Sequence, residues 1–464
     1  MASNSSLPEP SRLAALWTAF WGKPLDGWTY FWQGFVLVAL KYNLDRLIAH
    51  SCFHRDWYAW NYVSPGGVGT GGDSGFYLFL LLTSLPFLAV GIVLTLRRLR
   101  TVDMPAVFCC LFFVPVVNLL FFITLSLLRN RPAPVPPPSA APATEAKPSA
   151  WDREAVVSAC GSIAIVGPIG ALLVVIGVKV AQDYGWGLFV GLPFALGMTS
   201  VLLYARQRPR PLGMCLTVAL LPLLFVGITL LVIAIEGVVC LLMASPIAVV
   251  LAWFGGFVGH TIQDSRHAAR SRLPVALLLA SMPLFMGMEG AAHLEPPLLS
   301  VTSAVEIDAS PEKVWPNVVA FSPISEKREW LFRTGIAYPT HAVIDGEGVG
   351  AVRHCVFSTG EFVEPIEVWD APRRLRFSVA AQPEPLEELS PYPHIHPAHL
   401  HGYMESEEGE LRLVPLPGGR TRLEGTTWYR NRIWPVAYWQ LWTDFIIHRI
   451  HLRVLDHIKA LAEA

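Results

Sequence analysis

Glu364 is the side chain whose position in the sequence most directly suggests chemistry. It lies in an alternating segment, 361–369, in which Phe362 and Ile366 share one face. Alternation puts Glu364 on that same apolar face. A carboxylate in an apolar cavity is costly unless it is paired, and its raised pKa would suit ligand hydrogen bonding or acid–base catalysis. The competing interpretation is that Pro365 marks a bulge or a sheet edge, which reverses the register and leaves Glu364 in water.

Histidines are concentrated near the end of the chain, where ten of the fourteen follow residue 292. Four lie in the Pro-rich segment 394–401, and His448 and His451 follow Asp444 in the last helical run. Helical spacing places Asp444, His448 and His451 on one face, and carboxylate with imidazole is a ligand set that zinc accepts. No recognised zinc-ligand spacing is present. We therefore expect no metal or other cofactor, with these three residues as candidates if a metal binds, and hydrogen bonding to carboxylates across the sheet as their alternative role.

Aromatic residues accompany these candidates. Trp428 ends a predicted strand, and Tyr438 and Trp442 belong to the last helical run. Such rings suit a ligand cavity, a membrane interface or ordinary packing of sheet on helix. We predict a cavity lined by seven residues: Glu364, Phe362, Ile366, Trp428, Tyr438, Trp442 and His448. Glu364 and His448 are the candidate catalytic pair if the cavity supports acid–base chemistry.

The segment that must position these residues has the pattern of a sheet closed by one long helix. Period-two alternation begins at 301–307, and Ser310 and Pro311 then start a helix as its N-cap and first residue. Seven further strands are predicted at 339–345, 350–358, 361–369, 373–380, 400–406, 409–415 and 421–430. The run 436–462 is predicted as a single helix.

This order of elements resembles the START-like helix-grip superfamily (SRPBCC), which includes polyketide cyclases and lipid-transfer domains. The resembling segments are 309–315, 348–353, 364–369 and 425–429, followed by the terminal helix. The resemblance covers 296–464 and implies a strongly curved antiparallel sheet around a long helix, with a hydrophobic cavity between them. It does not decide the chemistry, because the superfamily includes binders, transfer proteins and enzymes.

The remainder of the chain has the composition of a membrane protein. The chain is 53% hydrophobic and 15% charged, whereas soluble proteins carry roughly 25% charged residues. Eight runs approach the ~20 apolar residues that cross a bilayer: 28–48, 76–96, 104–128, 155–179, 186–205, 212–235, 237–259 and 273–292. We predict an α-helical polytopic membrane region followed by an α+β helix-grip domain. Its parts are an N-terminal membrane block (1–130), a Pro/Ala-rich linker (131–150), a second membrane block of about five spans (151–292) and the soluble domain (296–464).

Two features of the first block leave alternatives open. Lys41 and Asp45 interrupt the first run at helical spacing, either as an intramembrane ion pair or as charges near the end of a short helix. The run 104–128 contains Pro115 and is either a re-entrant hairpin or a single span. The aromatic-rich first helix and the Arg97-Arg98-Leu99 motif resemble a small bacterial inner-membrane family of unknown function.

Charge predicts the orientation. Arginines at 206–210 and 266–272 occupy alternate loops of the second block, and the positive-inside rule places those loops in the cytoplasm. The fifth span then leaves the C-terminal domain on the extracytoplasmic side of a bacterial inner membrane. From residue 293 on, 23 acidic and 16 basic residues give a net charge of −7, so we expect no nucleic-acid partner. Glu236 and Glu289 are interpreted as interfacial loop charges, and the cysteines show no metal-ligand spacing.

The predicted function is binding of a lipid or other hydrophobic small molecule by a membrane-anchored START-like domain. One alternative is a cyclase- or hydrolase-like enzyme that uses Glu364 and His448, and another is an accessory domain of a transporter. The absence of a phosphate loop, a nucleophile elbow and an HExxH motif favours the binder over the enzyme.

Overall fold

The computed structural model describes residues 25–55, 57–58, 62, 74–113, 117–128, 130, 153–263, 273–292, 295–324, 329–392, 395 and 397–464. The predicted linker 131–150 lies outside the described residues, as do His394 and His396 of the His-rich segment. Within the described part, a helical apolar region comes first, and an antiparallel sheet with a long helix follows it.

The apolar region contains eight α-helices in the described residues. They are α1 (Gly27–Phe53), α2 (Ser74–Thr101), α3 (Val117–Leu127), α4 (Arg153–Val175), α5 (Leu192–Tyr204), α6 (Leu212–Val232), α7 (Val238–Gln263) and α8 (Leu273–Ala292). π-helical turns at Ile176–Ala181 and Gly187–Gly191 extend α4 and α5.

Five helical stretches of the described chain are long and apolar enough to cross a membrane: Leu78–Thr101, Arg153–Ala181, Gly187–Tyr204, Leu212–Val232 and Val238–Gln263. The stretch Gly187–Tyr204 is 83% buried, far more than the others, so it forms the centre of the second block. Its helix α5 packs closely on α7, because a Cβ on Gly255 would lie 2.1 Å from the carbonyl oxygen of Phe194. Small residues at such contacts let helix backbones approach each other within a membrane.

In the first block, the two charged residues that interrupt the first apolar run form an ion pair. Helix α1 runs without a break through Lys41 and Asp45, which form a salt bridge, and Tyr62 donates a hydrogen bond to the same carboxylate. The predicted run 104–128 is a 3₁₀ helix, Ala106–Phe113, and the short helix α3, while Pro115 lies outside the described residues. Neither described piece alone reaches the length of a span.

The C-terminal part is one seven-stranded antiparallel sheet with two helices. The strands are β1 (Leu298–Ile307), β2 (Pro339–Asp345), β3 (Val352–Phe357), β4 (Gly360–Asp370), β5 (Arg374–Ser378), β6 (Met404–Leu416) and β7 (Arg420–Asn431), and the helices are α9 (Pro311–Val319) and α10 (Val436–Glu463). The strand order is β1-β7-β6-β5-β4-β3-β2. Both edge strands, β1 and β2, contact α10, so the sheet curves around that helix. The predicted fold class, an apolar helical region followed by a helix-grip domain, is confirmed.

One prediction within the sheet is wrong. The segments 400–406 and 409–415 were expected as separate strands, but β6 is continuous from Met404 to Leu416. A register shift between Ser406 and Glu408 absorbs the interruption as a β-bulge rather than a turn. The preceding residues Ala398–Leu400 form a 3₁₀ turn instead of a strand.

The sheet domain is docked on the second membrane block by side chains that bond to helix ends. Tyr392 and Tyr403 donate to the carbonyl oxygens of Val232 and Gln182, at 2.7 and 2.8 Å, where helical segments end. The Trp434 backbone N–H donates to the Tyr184 carbonyl at 2.8 Å. These contacts satisfy backbone carbonyls that a helix terminus leaves without an intrahelical partner.

The start of α7 is capped by the other domain. The Glu388 carboxylate accepts hydrogen bonds from the backbone N–H groups of Val239 and Cys240, each at 3.2 Å. An anion in this place satisfies unpaired N–H groups and interacts favourably with the helix dipole. Only glycine fits beside it, because a Cβ on Gly237 would lie 2.1 Å from Glu388 Oε2. The position of the sheet domain on the helices is therefore set by a close steric and polar fit.

Candidate functional site

The main cavity lies between the concave face of the sheet and α10, and it continues between the membrane helices. Its volume is about 710 Å³, within the range of ~300–1,000 Å³ that is typical of small-molecule sites. Phe362 and Phe377 line it from the sheet, Trp439 and Ile447 from α10, and Leu230 from α6. The domain cavity and the crevice between α6 and α7 thus form one space.

The crevice reaches well into the membrane block and opens sideways. Along α7 the lining extends from Val238 to Val249, which is about 16 Å of helix. Leu224, Ile228 and Leu242 also line it, and they are 61%, 53% and 63% exposed. Apolar side chains that are both in the lining and exposed on the apolar helices indicate that the crevice opens sideways at the surface of the helical region.

A buried ion pair lies in the wall of the domain cavity. Glu364 on β4 faces Arg353 on β3, and the two side chains form a salt bridge with both partners buried. The Arg353 Nε–H also donates to the Val319 carbonyl at 3.1 Å, and its guanidinium lies over the rings of Phe321 and Phe377. Burial raises the pKa of the Glu364 carboxyl, and the charge of Arg353 opposes that shift.

A second polar group in the lining is a histidine between sheet and helix. His451 Nε2 lies 2.8 Å from Thr427 Oγ1, and His451 Nδ1 lies 3.1 Å from Ser303 Oγ. The same Ser303 hydroxyl is 2.7 Å from His448 Nδ1. Because the hydroxyl has one proton, it donates to at most one of the two imidazoles and accepts from the other. Burial, and then the neighbouring His448, lower the pKa of His451 to about 4.

A third polar group lies where the cavity passes from the domain into the crevice. Glu236 precedes α7, Cys240 lies in its first turn, and His399 comes from the 3₁₀ turn of the sheet domain. Cys240 Sγ is 2.9 Å from His399 Nε2, and His399 Nδ1 is 3.4 Å from Glu236 Oε2. The Tyr184 hydroxyl donates to the other oxygen of Glu236 at 3.0 Å. We call Glu236, Cys240 and His399 the junction cluster.

The sequence-predicted cavity residues divide into two sets. Glu364 and Phe362 line the cavity, and Pro365 pairs with Val352 without turning Glu364 toward water. Ile366 is buried in the core of the domain outside the lining. Trp428 is on the outer face of the sheet, where Arg376 stacks over its ring, because alternation along β7 turns Thr427 and Tyr429 inward instead.

Three residues of α10 also lie outside the lining. Tyr438 and Trp442 pack against the membrane block, and the Tyr438 hydroxyl donates to the Met243 carbonyl of α7. His448 points at Ser303 on β1, so the structure does not bring it to Glu364. These helix positions face the membrane block or the first strand, and the sequence periodicity of α10 did not show which side the second block would occupy.

The predicted metal candidates do not converge. Asp444 accepts a hydrogen bond from Tyr429, while His448 and His451 share Ser303. Among the described residues, the group of His, Cys, Asp or Glu side chains arranged to hold a metal ion is the junction cluster.

Several residues that shape the site were missed or misjudged from sequence. Glu236, interpreted as an interfacial loop charge, is buried against Tyr184 and His399. Glu289 accepts hydrogen bonds from the N–H groups of Trp186 and Gly187 at the start of a helical segment. Arg353 could have been suspected, since it alternates in register with apolar neighbours on a predicted strand. The junction cluster had no sequence signal, because its residues are as far apart as 236 and 399.

Replacing Glu364 by Gln should destabilise the protein by about 3–5 kcal/mol, because it leaves the Arg353 charge buried without its partner. Thermal unfolding of the full-length protein in detergent, followed by near-UV circular dichroism, measures the effect. The exposed pair Arg420–Glu306 provides a matched control. Glu306→Gln should cost less than about 1 kcal/mol. Equal effects of the two substitutions would contradict the importance of the buried pair.

Stability should fall as the pH drops from the ordinary histidine value of 6.5 toward about 4, because His451 binds a proton more weakly in the folded protein than in the unfolded chain. The His451 contribution is fully present above pH 6.5 and is lost as the pH falls to about 4; a shift of this size corresponds to about 3 kcal/mol. His451→Gln should reduce this pH dependence. The measurement is the unfolding midpoint between about pH 4.5 and about pH 7.5, taken in steps of roughly half a pH unit. His401→Gln, at an exposed histidine paired with Glu384, is the control that should retain the wild-type slope.

Comparisons with known proteins add little beyond the architecture. A scan of protein-family models finds no match. A search of curated protein sequences also finds no match. Among solved structures, norcoclaurine synthase from Thalictrum flavum is 13% identical, with 36% of this chain and 96% of that chain covered and a TM-score of 0.24. A Nitrosospira multiformis protein (18% identical, 35% and 94% covered, TM-score 0.22) and XoxI from Bacillus cereus (16%, 35% and 93%, 0.23) are similar to the same extent. Likenesses of this size carry no inference about ligand or activity, and the fold assignment rests on the strand order and register.

Proposed function

We propose that this protein is a membrane-anchored helix-grip domain that takes a lipid or other hydrophobic small molecule from the bilayer into its cavity. The observation that carries the proposal is the continuity of the domain cavity with the crevice between α6 and α7. An apolar molecule that moves along this route stays out of water, which removes the main cost of transferring it. Such a route supports a lipid-transfer role more than a cyclase role.

The shape of the space supports a ligand with one long apolar part. The crevice is a slot about 16 Å long between two helices, and it is lined almost entirely by Leu, Val, Ile and Phe side chains. The domain end adds Thr427, His451 and the Arg353–Glu364 pair. A molecule with an apolar chain and a polar end matches this distribution.

An acid–base enzyme that uses Glu364 and His448 is less well supported. Glu364 is on β4 and His448 faces β1, and three strands of the sheet separate β4 from β1. Glu364 is also held by Arg353, which limits its use as a free base. A transporter with an accessory domain is a separate candidate, but no observation in the described residues favours it over the binder.

Gly227 on α6 allows the route to be tested. It lines the crevice, and a Cβ at this position meets no atom within 4 Å, so a larger side chain fits without disturbing the helix contacts. Gly227→Phe should reduce the amount of co-purifying apolar molecule to less than half of wild type. Solvent extraction of full-length protein purified in mild detergent, followed by mass spectrometry, measures the ligand per protein chain.

The matched control is Gly161→Phe. Gly161 is on α4, also with open space around its Cβ, and it is not in the cavity lining. It should leave the ligand content at the wild-type level. Wild-type protein without any extractable apolar molecule, or an equal loss in both variants, would contradict entry through the crevice.

We also propose that the protein lies in a bacterial inner membrane with its helix-grip domain on the extracytoplasmic side. The arginines at 206–210 and 266–272, in alternate loops, support this orientation. Alkaline phosphatase fused after Ala464 should therefore be active, and a cytoplasmic fluorescent reporter fused there should be dark. The opposite pair of results would place the domain in the cytoplasm and leave lipid uptake from the inner leaflet as the function to test.

A further inference from the structure

We infer that the junction cluster of Glu236, Cys240 and His399 binds a divalent transition-metal ion of the zinc class. The three residues come from two parts of the protein: Glu236 and Cys240 from the membrane block, and His399 from the helix-grip domain. All three line the cavity. Carboxylate oxygen, thiolate sulfur and imidazole nitrogen are together the ligand types that zinc accepts.

The three side chains are close enough to share an ion after a rotation of one ring. One ligand atom from each residue lies within 4.8 Å of the other two. Glu236 Oε2 lies 3.4 Å from His399 Nδ1, about the separation of two ligands on a tetrahedral zinc. Cys240 Sγ lies 2.9 Å from the other ring nitrogen, Nε2, so one ion bound by all three residues requires the imidazole to rotate. His399 Nδ1 is buried and has no hydrogen-bond partner among the described residues, and the His399 side chain is only 9% exposed.

The local charge also calls for a cation. Glu236 and Glu388 are 6% and 8% exposed, and both carboxylates lie beside Cys240 or His399. No lysine or arginine of the described chain lies within 4.0 Å of either carboxylate. In the described residues, His399 is the potential cation beside these carboxylates, and it carries a charge only when protonated. With a neutral imidazole, two buried negative charges have no counter-ion, which is costly. The N–H groups at the start of α7 compensate Glu388, whereas Glu236 has a single neutral donor, Tyr184, and the incompletely bonded His399.

The same three residues resemble a Cys–His–carboxylate nucleophile, and the structure disfavours that use. Carboxylates next to a thiol oppose formation of the thiolate that would attack a substrate. The N–H groups of Val239 and Cys240, which could stabilise an oxyanion, already bond to Glu388. A metal ion removes the first difficulty, because it binds Sγ as the thiol proton leaves to solvent.

An ion in this position has two consequences. It links the membrane block to the helix-grip domain through one coordination sphere, with Tyr184 orienting Glu236 from behind. Three protein ligands also leave a fourth position of a tetrahedral ion for water or an oxygen atom in the cavity. Metal binding is measured without any lipid, so its failure and the failure of the proposed function are distinguishable.

Titration of the full-length protein with Co²⁺ tests the site. The wild type should bind one equivalent and show both a thiolate-to-cobalt charge-transfer band and the intense visible bands of a tetrahedral site. Cys240→Ser should lose the charge-transfer band, and His399→Gln should weaken binding by at least about tenfold. Cys355→Ser, at a second cysteine in the cavity lining, should keep both signals. Loss of the band in Cys355→Ser but not in Cys240→Ser would overturn the assignment.

A measurement on the unaltered chain avoids variants that fail to fold. Zn²⁺ should protect Cys240 from alkylation by at least about tenfold in rate, as quantified by peptide mass spectrometry, while the exposed Cys160 should react at the same rate with and without Zn²⁺. Equal alkylation of Cys240 in both conditions, or the same protection of Cys160, would overturn the metal site.

Discussion

Helix ends leave backbone groups without partners, and in this protein the helix-grip domain satisfies several of them on the apolar helices. Glu388 accepts from the N–H groups that start α7, and Tyr392 and Tyr403 donate to carbonyl groups where helical segments end. Each such bond replaces one that the helix cannot make for itself. Together they hold the helix-grip domain in one place on the helices, and the continuity of the cavity with the crevice depends on that placement.

The cavity is apolar, and most of its few polar side chains form ion pairs or hydrogen bonds with other side chains instead of contacting solvent. Arg353 and Glu364 neutralise each other in the wall, and His451 bonds to two hydroxyl groups from two strands. A buried charge is tolerated when a partner and hydrogen bonds accompany it, and is expensive otherwise. The junction cluster departs from this pattern, because its carboxylate and imidazole lack full complements of partners, and this difference is the physical basis for assigning it a cation.

The aromatic residues of the final helix serve the docking surface more than the cavity. Tyr438 and Trp442 contact the membrane block, while Trp439 and Ile447, which belong to a neighbouring stripe of the same helix, line the cavity. Helical periodicity separates these stripes but does not say what lies against each. The assignment of Tyr438 and Trp442 to the ligand site followed from their chemistry alone, and the position of a second domain changed their role.

The sequence by itself determined the elements that local physics controls. Long apolar runs predicted apolar helices, five stretches of which are long enough in the described chain to cross a membrane. Alternation predicted nearly every strand, and the shared face of Phe362 and Glu364 predicted a carboxylate turned toward an apolar space. These features depend on residues close together in the chain, where periodicity and hydrophobicity act directly. Only the tertiary structure decided which partner Glu364 has, which face of β7 carries Trp428, and that Glu236, Cys240 and His399 meet. The reason is that those contacts join residues from different strands or different domains, and no periodic pattern records how two separately patterned surfaces will be placed together.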